Sequence, residues 1–483
     1  MPALDCRFGV AAPGPGGRLS TASDDAYPHH VTRAPAGRDA GAAVEARLIA
    51  LAVPVFFGLI ALELWWSKRR GVAAYRFADA VTDLACGLAS RVFHLFDTAL
   101  LVGLYALVTE TLALAPMPTD AALTWVFAFV AVDFLYYWWH RTSHNVNALW
   151  AVHVVHHHSE DYNLAVALRQ AMFSQATRLP FYLPLALLGV STTVFATCQA
   201  INALYQFWIH TELVGRLPRP FEAVFNTPSH HRVHHGINPR YLDRNHAGVF
   251  IVWDRLFGTF EEEGEAVVYG VVTPLRSLNP IWANFEHFAT IFGLLRHTSG
   301  PGEWLRCWWD TPAYRPLALG GPKAASEVER ARFVKYDPLL LPGVRPYVAV
   351  WFVVVSAAVT ALVPLAPSLS PLMLGALSAL LLWTLLGWGG LFERKPWLAA
   401  SELARHAALA LLLLDYAAGA LDGHLPSASL GLGLAGVAAT GASALWLRRL
   451  LRRAGAGGAD ALSPPEETAA ADAGPHQPGV VAP

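Results

Sequence analysis

Seven stretches of roughly 20 apolar residues decide what this chain can become, because a helix of about that length crosses the roughly 30 Å hydrocarbon core of a bilayer. They lie near 47–66, 97–116, 121–139, 347–366, 371–392, 403–421 and 426–447. Another apolar segment, 180–209, carries Pro180 and Pro184 near its start and reads as a helical hairpin returning to the side it came from. Residues 76–96 contain Asp79, Asp83, Arg91 and His94, and read as an interfacial or buried helix. Only 15% of the 483 residues are charged, against about a quarter in soluble domains. The expected fold class is all-α: a polytopic integral membrane protein with about eight transmembrane helices and a cytoplasmic histidine-rich cap.

Basic residues set the expected orientation. Lys68, Arg69 and Arg70 end the first span, Arg394 and Lys395 follow the sixth, and Arg448, Arg449, Arg452 and Arg453 follow the last. With those ends in the cytoplasm, the third span delivers His140 to the cytoplasmic side. The excess of arginine over lysine, with abundant Ala, Gly and Pro, suggests a GC-rich bacterial genome and hence a bacterial inner membrane. No apolar core lies near Met1, so no cleavable signal peptide is expected. A net charge of −1 gives no basis for nucleic-acid binding. Cys6, Cys86, Cys198 and Cys307 lie far apart and form neither a disulfide framework nor a thiolate metal motif. The expected organisation is a disordered tail at 1–45, a membrane core at 46–300, a cytoplasmic linker or cap at 301–345, a four-helix membrane region at 346–448 and a second disordered tail at 449–483.

The core carries an unusual concentration of imidazoles. Of 20 histidines, 11 fall between His140 and His235. The groups are His140-Arg-Thr-Ser-His144, His153-Val-Val-His156-His157 and His231-Arg-Val-His234-His235, with His210 alone in YQFWIHTE. Residues at i, i+3 and i+4 share a helix face, so each group aims two or three imidazoles one way. Eight or nine ligands exceed what one ion binds, which implies two metals; imidazole suits iron, zinc, copper and nickel alike. A structural zinc site closes with four ligands, often including thiolate, and neither feature fits. Histidine clusters also occur in metal transporters, but there the ligands line a path through the spans. Here they gather outside the spans. His158 and His230 point away from the shared faces and read as solvated or supporting residues.

Carboxylates are expected beside such a centre, accepting the second ring N–H of each ligand. Asp133 lies seven residues before His140 in an apolar span, and Glu160, Asp161 and Glu212 follow as further candidates. Phe173, Phe181, Tyr182, Tyr205, Phe207 and Trp208 are candidates to line an acyl channel. Asn163, Arg169, Gln170 and Asn226 are candidates to support the ligands or meet a lipid headgroup.

HRTSH, HVVHH and HRVHH match the three-box pattern of the fatty acid hydroxylase and sterol desaturase superfamily of membrane di-iron enzymes. The resemblance spans roughly residues 80–290. Through YYWWHRTSHNVNALWAVHVVHHHSEDYNLAVALRQ and the run from LYQFWIHTELVGRLPRPF to WDRLFGTF it looks most like the alkylglycerol monooxygenase branch. It implies a non-haem di-iron centre held by His140, His144, His153, His156, His157, His231, His234 and His235, with His210 as the ninth ligand. Such enzymes use O2 and two electrons to attack an unactivated C–H bond of a lipid. In this branch tetrahydrobiopterin supplies the electrons, and the carbon beside an ether oxygen is hydroxylated to release a fatty aldehyde. A hydroxylase or desaturase of sterol, carotenoid or sphingolipid chains, fed by cytochrome b5 or a ferredoxin, is the alternative within the superfamily. Two positions depart from its pattern: Asn145 stands where many relatives carry Glu, and His158 where a small residue is common.

Overall fold

The computed structural model describes residues 36–456 except 323–324 and 423, with side chains from residue 52 to 453. Most of both expected tails lies outside the described residues. Their inner edges are helical: the first helix already begins at Ala36 and the last continues to Ala456. Among the described residues there is no strand, only isolated bridges pairing Phe225 with Phe250 and Gly236 with Tyr269.

The chain runs through α1 (Ala36–Arg69), α2 (Phe77–Leu112), α3 (Ala122–Asn145), α4 (Asn147–His157), α5 (Ser174–Leu187) and α6 (Thr192–Trp208). Five short helices follow: α7 (Arg219–Val224), α8 (Pro228–His234), α9 (Val252–Leu256), α10 (Glu286–Leu295) and α11 (Pro301–Trp309). The chain closes with α12 (Val344–Leu365), α13 (Pro371–Phe392), α14 (Leu398–Leu421) and α15 (Ala428–Ala456). Six helices, namely α2, α3 and α12 to α15, are long and apolar enough to cross a membrane. The protein is an integral membrane protein. The expected count of about eight becomes six among the described residues. α1 covers the first expected span, but carries Pro54 within it and is not among the six. α5 and α6 are too short to qualify, at 14 and 17 residues.

A second correction concerns 76–96 and 97–116, which form one unbroken 36-residue helix, α2. Its first half is polar because it is buried in protein rather than lipid. Thr82 bonds the Leu278 carbonyl, Asp83 meets the Arg169 guanidinium and Ser90 bonds the Ala171 carbonyl. Its second half is lipid-like, with Leu100, Leu107 and Leu112 exposed. From Ser90 to Leu112 α2 rises about 33 Å, enough for the hydrocarbon core.

The α5–α6 hairpin lies against this apolar half. Its two helices rise only about 21 and 26 Å, yet the tip reaches the far end of α2. There Leu114 N–H donates to the Leu187 carbonyl and Met117 N–H to the Gly189 carbonyl. Gly189 makes the close approach possible. It has φ +88°, and a Cβ at that position would sit 1.8 Å from the Ala115 carbonyl oxygen. The C-terminal helices pack on the other side of α2, where Ala78, Val81, Ala85 and Val92 share a core with Val344, Tyr347, Leu385 and Trp388.

Gly189→Ala is therefore expected to cost at least about 1–3 kcal/mol, since neither the backbone angle nor the carbonyl can yield cheaply. Thermal unfolding in detergent checks this, with Gly58→Ala as the control because nothing lies within 4 Å of a Cβ there. Equal unfolding temperatures would count against this packing of the hairpin.

Candidate metal centre

The apolar run of α3 ends with His140 and His144 on its last two turns, one helical turn apart. Val146 then adopts an extended conformation, and Asn147 starts α4 with its amide donating to the Cys307 carbonyl. α4 carries His153, His156 and His157; α8, opened by Pro228 in its first turn, carries His231 and His234, with His235 at its end. His210 sits just past the end of α6. All nine expected ligands come together in two groups, and His158 and His230 belong to neither.

His140, His144, His153, His157 and His234 form one group; His156, His210, His231 and His235 form the other. Within each, the candidate ligand atoms lie within 4.8 Å of one another. The i,i+4 pairs His153/His157 and His231/His235 each stay within one group. The residue at i+3, His156 or His234, crosses to the other group. α4 and α8 therefore divide their histidines in mirror fashion. All but the half-buried His156 are buried.

The tautomers decide what this arrangement can hold. Nδ1 of His140 donates to the His246 carbonyl at 2.7 Å, and Nδ1 of His234 to that of Arg244 at 2.9 Å. Nδ1 of His156 donates to the Arg169 carbonyl at 3.1 Å, and Nδ1 of His210 to that of Gln206 at 2.8 Å. A carbonyl only accepts, so each of these rings carries its proton on Nδ1 and a bare lone pair on Nε2. The lone pairs of His156 and His210 then face each other across 3.2 Å. Nε2 of His144, His234 and His235 is buried without any hydrogen-bond partner. Lone pairs in such proximity repel unless a cation lies between them. The donor set, all imidazole nitrogen, fits a transition-metal ion in each group.

Burial and neighbouring imidazoles hold His153, His157, His231, His234 and His235 well below the ordinary histidine pKa of 6.5. Burial alone pulls His210 down to about 4. The rings are thus neutral and able to ligate at neutral pH.

The four expected carboxylates are buried or half-buried nearby, but none accepts a hydrogen bond from an imidazole of either group among the described residues. Asp133 instead gathers the backbone N–H of Val249 and Phe250, the Trp253 indole and the Asn202 amide, at 2.7–2.9 Å. Glu160 accepts from the Tyr336 amide. Asp161 accepts from Arg76 and Lys335, and Glu212 from Tyr269 and Arg330. The expected orienting role passes mostly to backbone carbonyls, because the segments around residues 169, 206 and 244–246 run against the ring edges, and to Asp243, a carboxylate outside the expected four that lies 3.4 Å from Nδ1 of His144. The Arg169 carbonyl accepts from His156 of the second group, while its guanidinium is fixed by Asp83 and the Val155 carbonyl. Among the channel candidates, Phe207 stacks on Phe56, Phe173 packs edge-on to Phe93 and the Tyr205 hydroxyl bonds the Asn226 carbonyl.

Sequence reasoning missed His246 and Asp254. His246 is fully buried against His140, His144 and His234, with neither ring nitrogen hydrogen-bonded and Nδ1 3.7 Å from an Asp254 carboxylate oxygen. Asp254 takes the N–H of His246 and Ala247 and the Thr259 hydroxyl. A single histidine outside the boxes has no spacing signal to reveal it.

The family model for fatty acid hydroxylases matches residues 125–259, the stretch that contains every histidine of both groups. An alkylglycerol monooxygenase from Danio rerio is 38% identical over 368 residues, covering 75% of this chain and 81% of that protein. This chain belongs to the alkylglycerol monooxygenase family. A human alkylglycerol monooxygenase is 46% identical over 252 residues, covering 52% of this chain and 56% of its own length. An ornithine lipid hydroxylase from Rhizobium tropici is 26% identical over 222 residues, covering 43% and 63%. No solved structure matches significantly. The protein is an oxygen-dependent lipid monooxygenase, and its family and histidine groups make it an iron-dependent hydroxylase.

Two outcomes follow from the geometry. Asp133→Ala strands four donors in the interior, so it is expected to destabilise the fold by more than about 3 kcal/mol and to lower bound metal. Thermal unfolding and metal analysis check this. For the metal-free protein, the unfolded chain binds protons on these imidazoles before the folded one does. Stability is then complete above pH 6.5 and falls toward pH 4. Unfolding temperatures in detergent should drop across that window; a flat profile would show that the rings are not held neutral.

Proposed function

We propose that this chain is an ether-lipid monooxygenase that cleaves alkylglycerols at a di-iron centre. In this reading His140, His144, His153, His157 and His234 hold one iron, and His156, His210, His231 and His235 the other. The observation that carries it is the pair of imidazole groups with their lone pairs turned inward. Alkylglycerol as substrate is taken from the relatives, which are named for that reaction. Bound there, the two irons supply O2 activation and the hydroxylation of the carbon beside the ether oxygen. One oxygen atom enters that C–H bond and the other leaves as water, with two electrons and two protons consumed. The resulting hemiacetal collapses to a fatty aldehyde and glycerol.

The chain's own residues position and insulate. The carbonyls of His246, Arg244, Arg169 and Gln206 fix the ring tautomers, and burial excludes water from the imidazoles. Tetrahydrobiopterin is the proposed electron donor, in keeping with the family resemblance. The histidine face is proposed to lie on the cytoplasmic side of a bacterial inner membrane. Arg394, Lys395 and the basic end of α15 support that orientation.

Membranes containing the protein, supplied with an alkylglycerol, O2 and a tetrahydropterin, are expected to release fatty aldehyde, and His144→Ala membranes to release none. Iron-loaded, folded protein that gives no aldehyde would overturn the ether-lipid reading. Metal analysis tests the partition. The wild type should bind two irons, and His210→Ala about one, because only the four-histidine group loses a ligand.

A further inference from the structure

α10 and α11 are 10 and 9 residues long, about half of the roughly 20 residues a spanning helix needs. Yet both turn large apolar side chains outward. Phe292 on α10 is 55% exposed, and Leu305 and Trp309 on α11 are 52% and 65% exposed. The patch is continuous between the two helices, because the Phe292 ring meets Trp308 at 5.5 Å and Trp308 meets Trp304 at 6.4 Å between centroids. A contiguous aromatic patch on an outer face marks an interaction surface.

Each helix divides its circumference into three. Ile291 of α10 and Cys307 of α11 enter one buried core with Ala151 of α4. At about 3.6 residues per turn, Trp304, Leu305, Trp308 and Trp309 share an arc of about 140° on α11, while Glu303, Arg306 and Asp310 share a separate arc of about 60°. On α10, Phe292 and Ala289 occupy one exposed arc and Glu286 and Thr290 the next, where the Thr290 hydroxyl donates to Glu286. A protein face, an apolar face and a polar face fit a place where protein, hydrocarbon and water meet. Two spans fix that level. Phe285, just before α10, packs edge-on to Phe173, and Phe173 to Phe93, just past Ser90 where α2 becomes lipid-like. The Asp310 carbonyl at the end of α11 accepts the backbone N–H of Asn147, directly beyond the end of the spanning α3.

We propose that α10 and α11 form an in-plane membrane-binding hairpin, its aromatic face immersed at the headgroup boundary on the histidine side and its partner the bilayer surface itself. Trp and Phe suit that depth, since their rings bury apolar area while the indole N–H can still reach polar headgroups. α11 falls within the segment expected as a cytoplasmic cap, and in this arrangement that part of the cap rests in the interface rather than in water. The hairpin is tied to the histidines through Asn147. The side-chain amide of Asn147 donates to the Cys307 carbonyl of α11 at 2.8 Å, and its side-chain oxygen meets Nε2 of His287 on α10 at 2.7 Å. Asn147 opens α4, the helix that carries His153, His156 and His157. The bilayer thus holds the two helices against which the second histidine box is mounted. The proposal is independent of the ether-lipid reading, because it concerns the membrane and not a substrate.

The test places nitroxide spin labels on the full-length protein in phosphatidylcholine nanodiscs, in a Cys6→Ser background; Cys86, Cys198 and Cys307 are buried and stay in place. Labels at Phe292→Cys, Ala289→Cys and Leu305→Cys should collide with oxygen, which concentrates in lipid, several-fold more often than with a water-soluble nickel chelate. Labels at Thr290→Cys and Arg306→Cys should show the reverse order. Ala289→Cys removes no large side chain, so it keeps the apolar arc readable by itself where a larger replacement lowers the yield. Equal access of the nickel chelate to all five positions would place the hairpin in water and overturn the proposal. Protection of the apolar positions from both reagents would also overturn it, since a second copy of the chain or a protein partner would then cover the patch.

Discussion

Nine imidazoles must be held with their lone pairs turned toward one another, and much of the core is arranged to bear that repulsion. Four of the rings are locked by donating Nδ1–H to a backbone carbonyl, at His246, Arg244, Arg169 and Gln206. Carbonyls suit the task because they cannot donate, so the tautomer is fixed absolutely rather than merely favoured. The cost is that each carbonyl must itself be immobile. The segment 246–253 is made so by two buried carboxylates. Asp133 takes the N–H of Val249 and Phe250, and Asp254 takes the N–H of His246 and Ala247. Metal affinity and fold stability are thereby linked: a cation between the lone pairs relieves a strain that the backbone otherwise sustains alone.

The mirrored use of α4 and α8 follows from helical geometry. Positions i and i+4 project within about 40° of each other, and i+3 leans to the opposite side of that pair. An HxxHH box on a helix edge-on to two groups thus sends its outer pair to one group and its i+3 residue to the other. α3 supplies His140 and His144 to the first group and the end of α6 supplies His210 to the second, which makes the groups five and four. Because α5 and α6 are short, the histidines come to lie where the apolar half of α2 begins, near Ser90 and Ala171.

The histidines were legible in the sequence because spacing carries the information: three boxes at helical intervals cannot aim their rings at random. The partition into groups was not, since it depends on how the two box helices face each other. The carboxylates illustrate the limit. Asp133 stands at the right interval for the face of His140, yet loop amides reach it first, and no local pattern announces a loop 116 residues away. α2 was misread for a related reason. Its Asp79 and Asp83 suggested a break from the membrane, whereas the helix continues unbroken and its polar half is paid for by Arg76, Ser159 and Arg169. Polarity reported the surroundings of the helix, not its end.

The C-terminal helices connect to the site by the same route. α12 and α13 pack on the polar half of α2, and the α13 end is tied to the loop before α10 by Glu393, which accepts from Ser277 and Leu278. Their own ionisable residues are satisfied locally: Glu402 takes the Arg405 guanidinium, which also lies over Trp351, and His406 meets Ser443. Gly387 leaves the room that Glu402 occupies. A charged pair that is matched and packed in this way braces helices rather than forming a path for ions. What the brace fixes is the register of α2. That register sets Asp83, Asp83 sets Arg169, and the Arg169 carbonyl sets the ring of His156. A region carrying none of the nine histidines is therefore coupled to the histidine groups through three successive contacts.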